Sequence, residues 1–232
     1  MTGQTKTRPL QQTQPSSEPK KFSVAELLCE FDVFGHYYTK DTQNNNRFRR
    51  CLEIVSKGSG VIVGSPELLV VMMNPGSSKP MDEAHWQVNG LVPAWPDKTQ
   101  YQIMRVMHRC GIKTTRVINL SDLCEPNSHR FIAAISTLPT EHSIFAEERD
   151  NELAAVSAGC GAVVSAWGVD PKLPSTRAVN WLKQFDAVQY RYPNKANYPL
   201  HPLPRNAKAQ EQWVDNISNQ MLQATLPQVP HP

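Results

Sequence analysis

The sequence predicts an α/β fold: a three-layer α/β/α sandwich whose central sheet is mainly parallel. Three runs of strand length, at residues 67–73, 116–120 and 162–167, consist mostly of hydrophobic residues. Such runs are typical of strands that are covered on both faces, as in parallel sheets. Segments with helical periodicity separate the runs, and this alternation favours right-handed crossovers with helices on both sides of the sheet.

The individual elements follow in chain order from capping and periodicity signals. Ser23 and Glu26 have the spacing of a capping box, so a short helix is expected to begin there. Residues 101–110 carry the apolar stripe of an amphipathic helix that ends at Gly111. Further strands are predicted at 48–55, 60–63 and 187–192, and the first two are expected to pair as an edge hairpin. Further helices are predicted at 144–158, 175–185 and 207–226. The inward-facing residues of the last helix are expected to be Trp213, Ile217, Met221 and Leu222.

Length and composition bound the organisation of the chain. Its 232 residues fit one globular domain at 22–225, between a polar tail at 1–21 and a proline-rich tail at 226–232. Hydrophobic residues make up 40%, and no apolar stretch reaches the length of a membrane helix, so a soluble cytoplasmic protein without a membrane partner is expected. The net charge of +3 permits a polyanionic partner without requiring one. The oligomeric state stays open.

The cysteine and glycine patterns argue against several kinds of site. The five cysteines include no C-x-x-C pair, which argues against a disulfide framework and against a structural zinc site. The chain has no G-x-x-x-x-G-K-[ST] motif, which excludes a P-loop ATPase. Asp82, Glu83 and His85 have a spacing that metal ligands can have, but a solvated acidic loop is the better interpretation. Neither a metal nor a cofactor is predicted.

Polar or aromatic residues follow the predicted strands, and in such sheets ligands bind beyond the carboxyl ends of the strands. Asn119 lies in an otherwise apolar strand, where its carboxamide either ties down a neighbouring loop or reads the edge of a ligand. The turn after residue 73 either simply ends a strand or presents backbone N–H groups to an anion or a water. The polar or aromatic segments that follow the predicted strands are Asn74-Pro75-Gly76-Ser77-Ser78, Asn119 with Asp122, Trp167-Gly168, and His201-Pro202-Leu203-Pro204.

Several of these residues have a structural and a functional interpretation side by side. His201 is either a structural hydrogen-bonding residue or a catalyst, and Trp167 either fills the sheet or stacks on a ligand. Trp86 and Trp95 lie in a polar loop and are better candidates for stacking. The densest basic patch is either a solvated helix face or a set of phosphate contacts, and it consists of Arg105, Arg109, Lys113 and Arg116 with His108.

Several motifs, taken in order, resemble those of a known family. They are L-V-V-M-M-N-P-G-S-S, R-V-I-N-L-x-D-L, E-R-D-N-E-L, V-V-S-A-W-G and H-P-L-P. Together they resemble a bacterial and phage family of unknown function, DUF1643, whose members carry M-L-N-P-S, V-V-N-L, A-W-G and H-P-L motifs. The resemblance covers about residues 48–204, and it implies a shared domain without naming an activity.

A more distant resemblance does imply an activity. The first motif is similar to the G-x-N-P-G-x-S loop of mismatch-type uracil-DNA glycosylases, which implies a uracil-DNA-glycosylase-like sandwich. In that resemblance Asn74 orients the attacking water, Asn119 reads the base, and His201 supports the charge on the departing base. The sequence departs from the pattern at Met72, which replaces a glycine, and at Leu203, which replaces a serine. It also lacks a four-cysteine cluster and an evident wedge loop, so duplex, single strand and free nucleotide remain open.

The expected function is that of a nucleobase- or nucleic-acid-related protein, with metal-free hydrolysis of an N-glycosidic bond as its reaction. A competing hypothesis is a non-catalytic nucleotide or nucleic-acid binding module of phage or mobile-element origin. A third is an interaction protein whose proline-rich ends recruit a partner. A hydrolase triad of Ser77, His201 and Asp122 is disfavoured because the chain lacks a G-x-S-x-G elbow.

Overall fold

The computed structural model describes residues 22–39, 46–168, 176–192 and 195–225. The predicted tails at 1–21 and 226–232 lie outside the described residues. Six α-helices and a seven-stranded sheet form a mixed α/β fold within them. No helix in this described part of the chain combines the length and the hydropathy needed to cross a membrane.

The main sheet mixes parallel and antiparallel strands in the order β4-β5-β1-β2-β6-β3-β7. Its strands are β1 (Phe31–Thr39), β2 (Arg47–Ser56), β3 (Leu68–Met72), β4 (Lys79–Pro80), β5 (Leu91–Trp95), β6 (Thr114–Asn119) and β7 (Ala162–Ser165), while β8 (Arg191–Tyr192) and β9 (Lys195–Pro199) form a separate pair. Strand β3 runs parallel to β6 and β7, and the remaining neighbours are antiparallel. The prediction of a mainly parallel sheet is therefore wrong, although the three apolar runs do form the parallel strands.

The antiparallel half arises from β1, a strand that the sequence analysis did not predict. Buried and partly exposed residues alternate along it, as expected of a strand with one face in the core. Strand β1 occupies one side of β2, and β6 occupies the other. The predicted hairpin between 48–55 and 60–63 is therefore wrong. Residues 60–63 form no strand, and Val63 is 96% exposed.

The described residues form six helices, and the capping signals predicted for the first two are confirmed. The helices are α1 (Val24–Glu30), α2 (Lys98–Cys110), α3 (Ser128–Ile135), α4 (Asp150–Ser157), α5 (Thr176–Leu182) and α6 (Ala207–Thr225). The Ser23 hydroxyl accepts from the backbone N–H of Glu26, whose carboxylate accepts from the N–H of Ser23, so the predicted capping box is confirmed. Gly111 ends α2 with a positive φ of 68°, a conformation that glycine adopts without a steric penalty.

Three local predictions differ from the structure. The helix expected at 144–158 begins only at Asp150, because a 3₁₀ turn precedes it. The strand expected at 187–192 is reduced to β8 and an isolated bridge from Val188. On α6, Leu222 is 45% exposed instead of facing inward, whereas the inward prediction is confirmed for Trp213, Ile217 and Met221.

Helices cover both faces of the sheet and so create two apolar layers. The front face is defined by α1, α2 and α6, which pack Leu27, Ile103, Met107, Trp213 and Ile217 against Leu52, Val70, Val117 and Val164. The back face is defined by α4 and α5, which pack Leu153, Ala178 and Leu182 against Leu69, Val71, Ile118 and Val163. The carboxyl ends of β3, β6 and β7 emerge between these layers at one edge of the sheet.

Candidate functional site

The ends of β3 and β6 lie side by side at this edge. The backbone N–H of Leu120 donates to the carbonyl of Met72 at 2.8 Å. Neighbouring strands are about 4.8 Å apart. Asn119 pairs with Met72 at the end of β3, and Asn74 follows Met72 by two residues at the same edge.

Asn119 is the last residue of β6, and its side chain is fully buried. Val117 packs among the front-face residues, and side chains alternate along a strand, so Asn119 also points to the front face. Neither its Oδ1 nor its Nδ2 atom has a hydrogen-bond partner. An unpaired buried polar group costs about 1 to 3 kcal/mol. Asn119 was expected either to hold a neighbouring loop or to bind the edge of a ligand. Since its buried amide has no partner among the described residues, the second interpretation is favoured.

Arg49 brings a positive charge to the same face. The register of β1 and β2 shifts so that His36 pairs with Cys51 and Tyr37 pairs with Arg49, which leaves Arg50 as a bulged residue. Tyr37 belongs to the front-face core, and directly paired residues share a face. Arg49 is only 1% exposed, and its Nε and Nη1 atoms have no hydrogen-bond partner.

Tyr37 and Ser78 complete this group of buried polar side chains. The Tyr37 hydroxyl and the Ser78 Oγ atom are 2.8 Å apart, and burial raises the pKa of Tyr37. A Cβ atom at Gly35 would lie 2.5 Å from Cε2 of Tyr37, so the absence of a side chain there makes room for the ring. We call Tyr37, Arg49, Ser78 and Asn119 the front cluster.

The predicted N-P-G-S-S turn is fixed by the amide of Asn74. Its Nδ2 donates to the carbonyl of Glu125 at 2.7 Å and to that of Leu123 at 3.4 Å, which leaves Oδ1 as the atom able to face a ligand or a water. The turn itself closes through a bond from the N–H of Ser78 to the carbonyl of Pro75 at 3.2 Å. Within it, Pro75 is buried, Gly76 has a φ of 61° and Ser77 is exposed.

His201 reaches the same edge through Gly168, the residue at the end of the segment after β7. The N–H of Gly168 donates to the carbonyl of Pro199 at 3.0 Å, and a Cβ at Gly168 would lie 3.4 Å from Cβ of His201. The Nδ1 atom of His201 accepts from the N–H of Leu203 at 3.1 Å. Burial lowers the pKa of His201, so the imidazole is neutral and its proton is on Nε2.

The tryptophans near the site differ in exposure. Trp86 is 5% exposed because Tyr37 meets it edge-on with ring centroids 4.9 Å apart, and Arg47 lies 4.7 Å over its ring. Trp167 is 4% exposed, and its indole nitrogen has no hydrogen-bond partner. Trp95, on β5, is 54% exposed. Trp86 thus packs against the front cluster, whereas Trp167 packs among the residues of the back face.

Asp122 lies on the other side of the sheet, in what we call the back cluster of Tyr38, Arg50, Asp122, Arg149 and Glu152. Its Oδ2 atom accepts from the Tyr38 hydroxyl at 2.9 Å and from Nη1 of Arg149 at 2.7 Å. Glu152 in turn binds Arg149 and Arg50. Burial raises the pKa of Asp122 to about 7, against the opposing effect of Arg149.

The alternative sites have structural explanations. Asp122 is engaged by Arg149, and His201 binds Leu203, so the triad with Ser77 is not assembled. Asp82 caps a 3₁₀ turn, and Glu83 binds the indole N–H of Trp86. Across the described ranges, no group of three histidine, cysteine, aspartate or glutamate residues could hold a metal ion.

The predicted phosphate contacts separate into two places. Arg105 donates to the carbonyl of Phe22, and Arg109 binds Asp215, both in a groove of about 1090 Å³ between α2, α6 and the His201 loop. Lys113 precedes the first residue of β6 and so lies at the opposite edge of the sheet from Asn119. The groove is lined by Lys98, Arg105, Arg109 and Arg205 together with Leu203 and Pro204.

The sequence analysis missed Arg49, Tyr37 and Arg149. Simple alternation counted back from the buried Leu52 of the front face would place Arg49 on the back face, and only the bulge at Arg50 reverses this. Two adjacent arginines, Arg49 and Arg50, inside the predicted strand at 48–55 were the signal available, because a buried strand rarely tolerates such charge.

No protein-family model, curated protein or solved structure matches this chain. The interpretation of the site therefore rests on its own geometry.

Proposed function

We propose that the protein binds a nucleobase at the front cluster and hydrolyses the N-glycosidic bond that joins this base to a sugar. One observation carries the proposal: the fully buried carboxamide of Asn119 has no partner at either Oδ1 or Nδ2. A carboxamide offers an acceptor and donors in one plane, which complements the edge of a nucleobase. A bound base would supply the hydrogen bonds that this buried amide lacks.

Asn74 and His201 are the proposed catalytic residues. A water held by Oδ1 of Asn74 attacks the anomeric carbon, the C–N bond breaks, and its electron pair leaves with the base. The proton that the water loses passes to solvent or to the departing base. The Nδ2 atom of Asn74 is held by two carbonyls, which orients the amide. The Nε2–H group of neutral His201 donates to the base as negative charge builds on it.

The proposal extends to the fold and to the ligand class. The parallel strands β6, β3 and β7 would correspond to the core of a uracil-DNA-glycosylase-like sandwich, with the antiparallel strands added beyond β6. A sugar-phosphate chain attached to the base would leave along the groove beside Leu203 and Pro204, where the cations favour phosphate. The proposed ligand is accordingly a nucleotide or a nucleic acid.

A base-release assay tests this function. The protein is incubated with nucleosides, nucleotides and uracil- or mismatch-containing single- and double-stranded DNA, and released bases are measured by mass spectrometry. We expect release that is lost in Asn74→Ala with the ligand still bound, and loss of both release and binding in Asn119→Ala. Asn216→Ala is the matched control, because this partly exposed asparagine on α6 donates to the carbonyl of Gln212 one turn earlier in the same helix.

The same assay also distinguishes a hydrolase from a non-catalytic binding protein. Binding that depends on Asn119 without any base release would make the protein a non-catalytic reader of nucleotides or nucleic acids. If neither bases nor nucleic acids bind, the proposed function is wrong.

A further inference from the structure

The charge of Arg49 has no counter-charge among the residues that the structure describes. Its neighbours on β2 are paired, Arg47 with Glu83 and Arg50 with Glu152, whereas Arg49 forms no ion pair with any residue that the structure describes. A guanidinium stays charged at all pH values at which proteins fold. At 1% exposure, water cannot solvate it, so its burial is unfavourable without an anion.

Three ionisable groups that interact electrostatically with the Arg49 guanidinium do not supply that anion. They are Tyr37, Cys51 and Cys124. Burial raises the pKa of both cysteines to about 12 and also raises that of Tyr37. All three side chains are therefore neutral at pH 7.

Arg49 and Asn119 lie on adjacent strands at the same edge. Leu52 pairs with Val117, and the N–H of Arg49 donates to the carbonyl of Asp122 at 2.8 Å. Since both side chains point to the front face, a ligand that reaches Asn119 also meets the guanidinium.

We propose that the ligand of this site is a planar anion: Arg49 binds a negative charge on the ring or on a carboxylate attached to it, and Asn119 binds the adjoining hydrogen-bonding edge. The inference rests on the proposed function and narrows its ligand class. Instead of nucleobases in general, the expected ligands are bases that carry a negative charge, on the ring or on an attached carboxylate, at the end that is buried. Charge-assisted hydrogen bonds to a buried guanidinium are strong enough to decide such a choice. A backbone phosphate is the poorer fit, since exposed cations for phosphate lie in the groove and Arg49 is buried beside Asn119.

Binding calorimetry with ligands matched in shape tests the inference. Orotate and 5-carboxyuracil carry a carboxylate, whereas uracil and the two methyl esters are neutral. We expect the anions to bind about ten-fold or more tightly than their neutral counterparts. Arg49→Met should reduce this preference to about two-fold or less, and Arg49→Lys should restore part of it. Arg47→Met, which removes an exposed arginine of the same strand, should leave the preference unchanged, and thermal unfolding verifies that each variant is folded.

The results distinguish the two proposals. If bases bind but the anionic ones show no preference, or Arg49→Met retains it, the inference about Arg49 is wrong and the proposed function stands. If benzoate binds in an Arg49-dependent manner while no base binds, the anion site stands and the nucleobase function is wrong. If neither benzoate nor any carboxylated base binds, the inference is overturned.

Discussion

The front and back clusters lie at the same edge of one sheet, on opposite faces, and differ in how their charges are compensated. In the back cluster Asp122, Arg149 and Glu152 form two ion pairs, even though Oδ1 of Asp122 has no donor within the described ranges. In the front cluster Arg49 and Asn119 are as deeply buried, and neither side chain has a partner among the residues that the structure describes. The difference teaches that burial alone does not mark a functional site. Paired charges hold the back of the fold together, whereas unpaired polar groups at the front favour a ligand.

The largest expected effect comes from removing an arginine from each cluster. Arg149→Met leaves Asp122 buried without its cation, and breaking such a pair costs about 3 to 5 kcal/mol. Arg49→Met removes a charge that no group compensates, so the free energy of unfolding should be unchanged or rise by about 1 kcal/mol. Urea denaturation at pH 8, where Asp122 is ionised, measures both. Equal destabilisation by the two variants would abolish the distinction between the clusters.

The part of the pH dependence of stability that depends on Asp122 should report on the back cluster. Burial raises the pKa of Asp122 from 3.8 to about 7, so the folded protein binds this proton more tightly than the unfolded chain does. Between these two pH values the unfolded chain loses the proton first, and the free energy of unfolding falls as pH rises. The expected loss is roughly 2 to 4 kcal/mol.

Asp122→Asn serves as the control for this titration. Its amide cannot ionise, so the difference in unfolding free energy between the two proteins should change from pH 4 to pH 7 and level off above it. A difference that is independent of pH would mean that Asp122 is ionised throughout and that Arg149 outweighs burial.

Local signals in the sequence predicted local structure well. The capping box at Ser23, the left-handed Gly111 and the apolar run at Leu68–Met72 all act over a few residues, and each is confirmed. Strand direction depends on distant partners, so nothing near Arg47–Ser56 indicated that β1 would pair with it antiparallel.

The same limit applies to the candidate site. Asn119 stood out because an amide interrupts an apolar strand, and Asn74 and His201 because they follow strand ends in distinctive motifs. Arg49 could not be placed, since its direction depends on a bulge defined by pairing with β1. Trp86 was expected to stack on a ligand from a polar loop, yet tertiary contacts with Tyr37 and Arg47 surround it.

The shape of the front cluster can be tested through Gly35. In Gly35→Ala the new methyl group would overlap the Tyr37 ring, which must move and so lose its bond to Ser78. Overpacking of this kind costs about 1 to 3 kcal/mol, and we also expect weaker ligand binding. Gly90→Ala is the matched control, because a Cβ there meets no atom within 4 Å. If thermal unfolding and binding are the same for both variants, the position of Tyr37 does not shape the site.

The smallest expected change in stability is the most informative about function. Asn119→Leu keeps the branched shape of the side chain and removes two polar atoms that have no partners among the described residues, so the free energy of unfolding should rise by about 1 kcal/mol. The same substitution should abolish ligand binding, since leucine cannot bond to a base. A gain in stability together with a loss of binding is typical of a residue kept for its ligand. Asp122→Leu should instead lower the free energy of unfolding measured in urea, because it leaves Arg149 without this carboxylate. If Asn119→Leu instead destabilises the protein by several kcal/mol, the amide has a structural role, and the front cluster then resembles the back one.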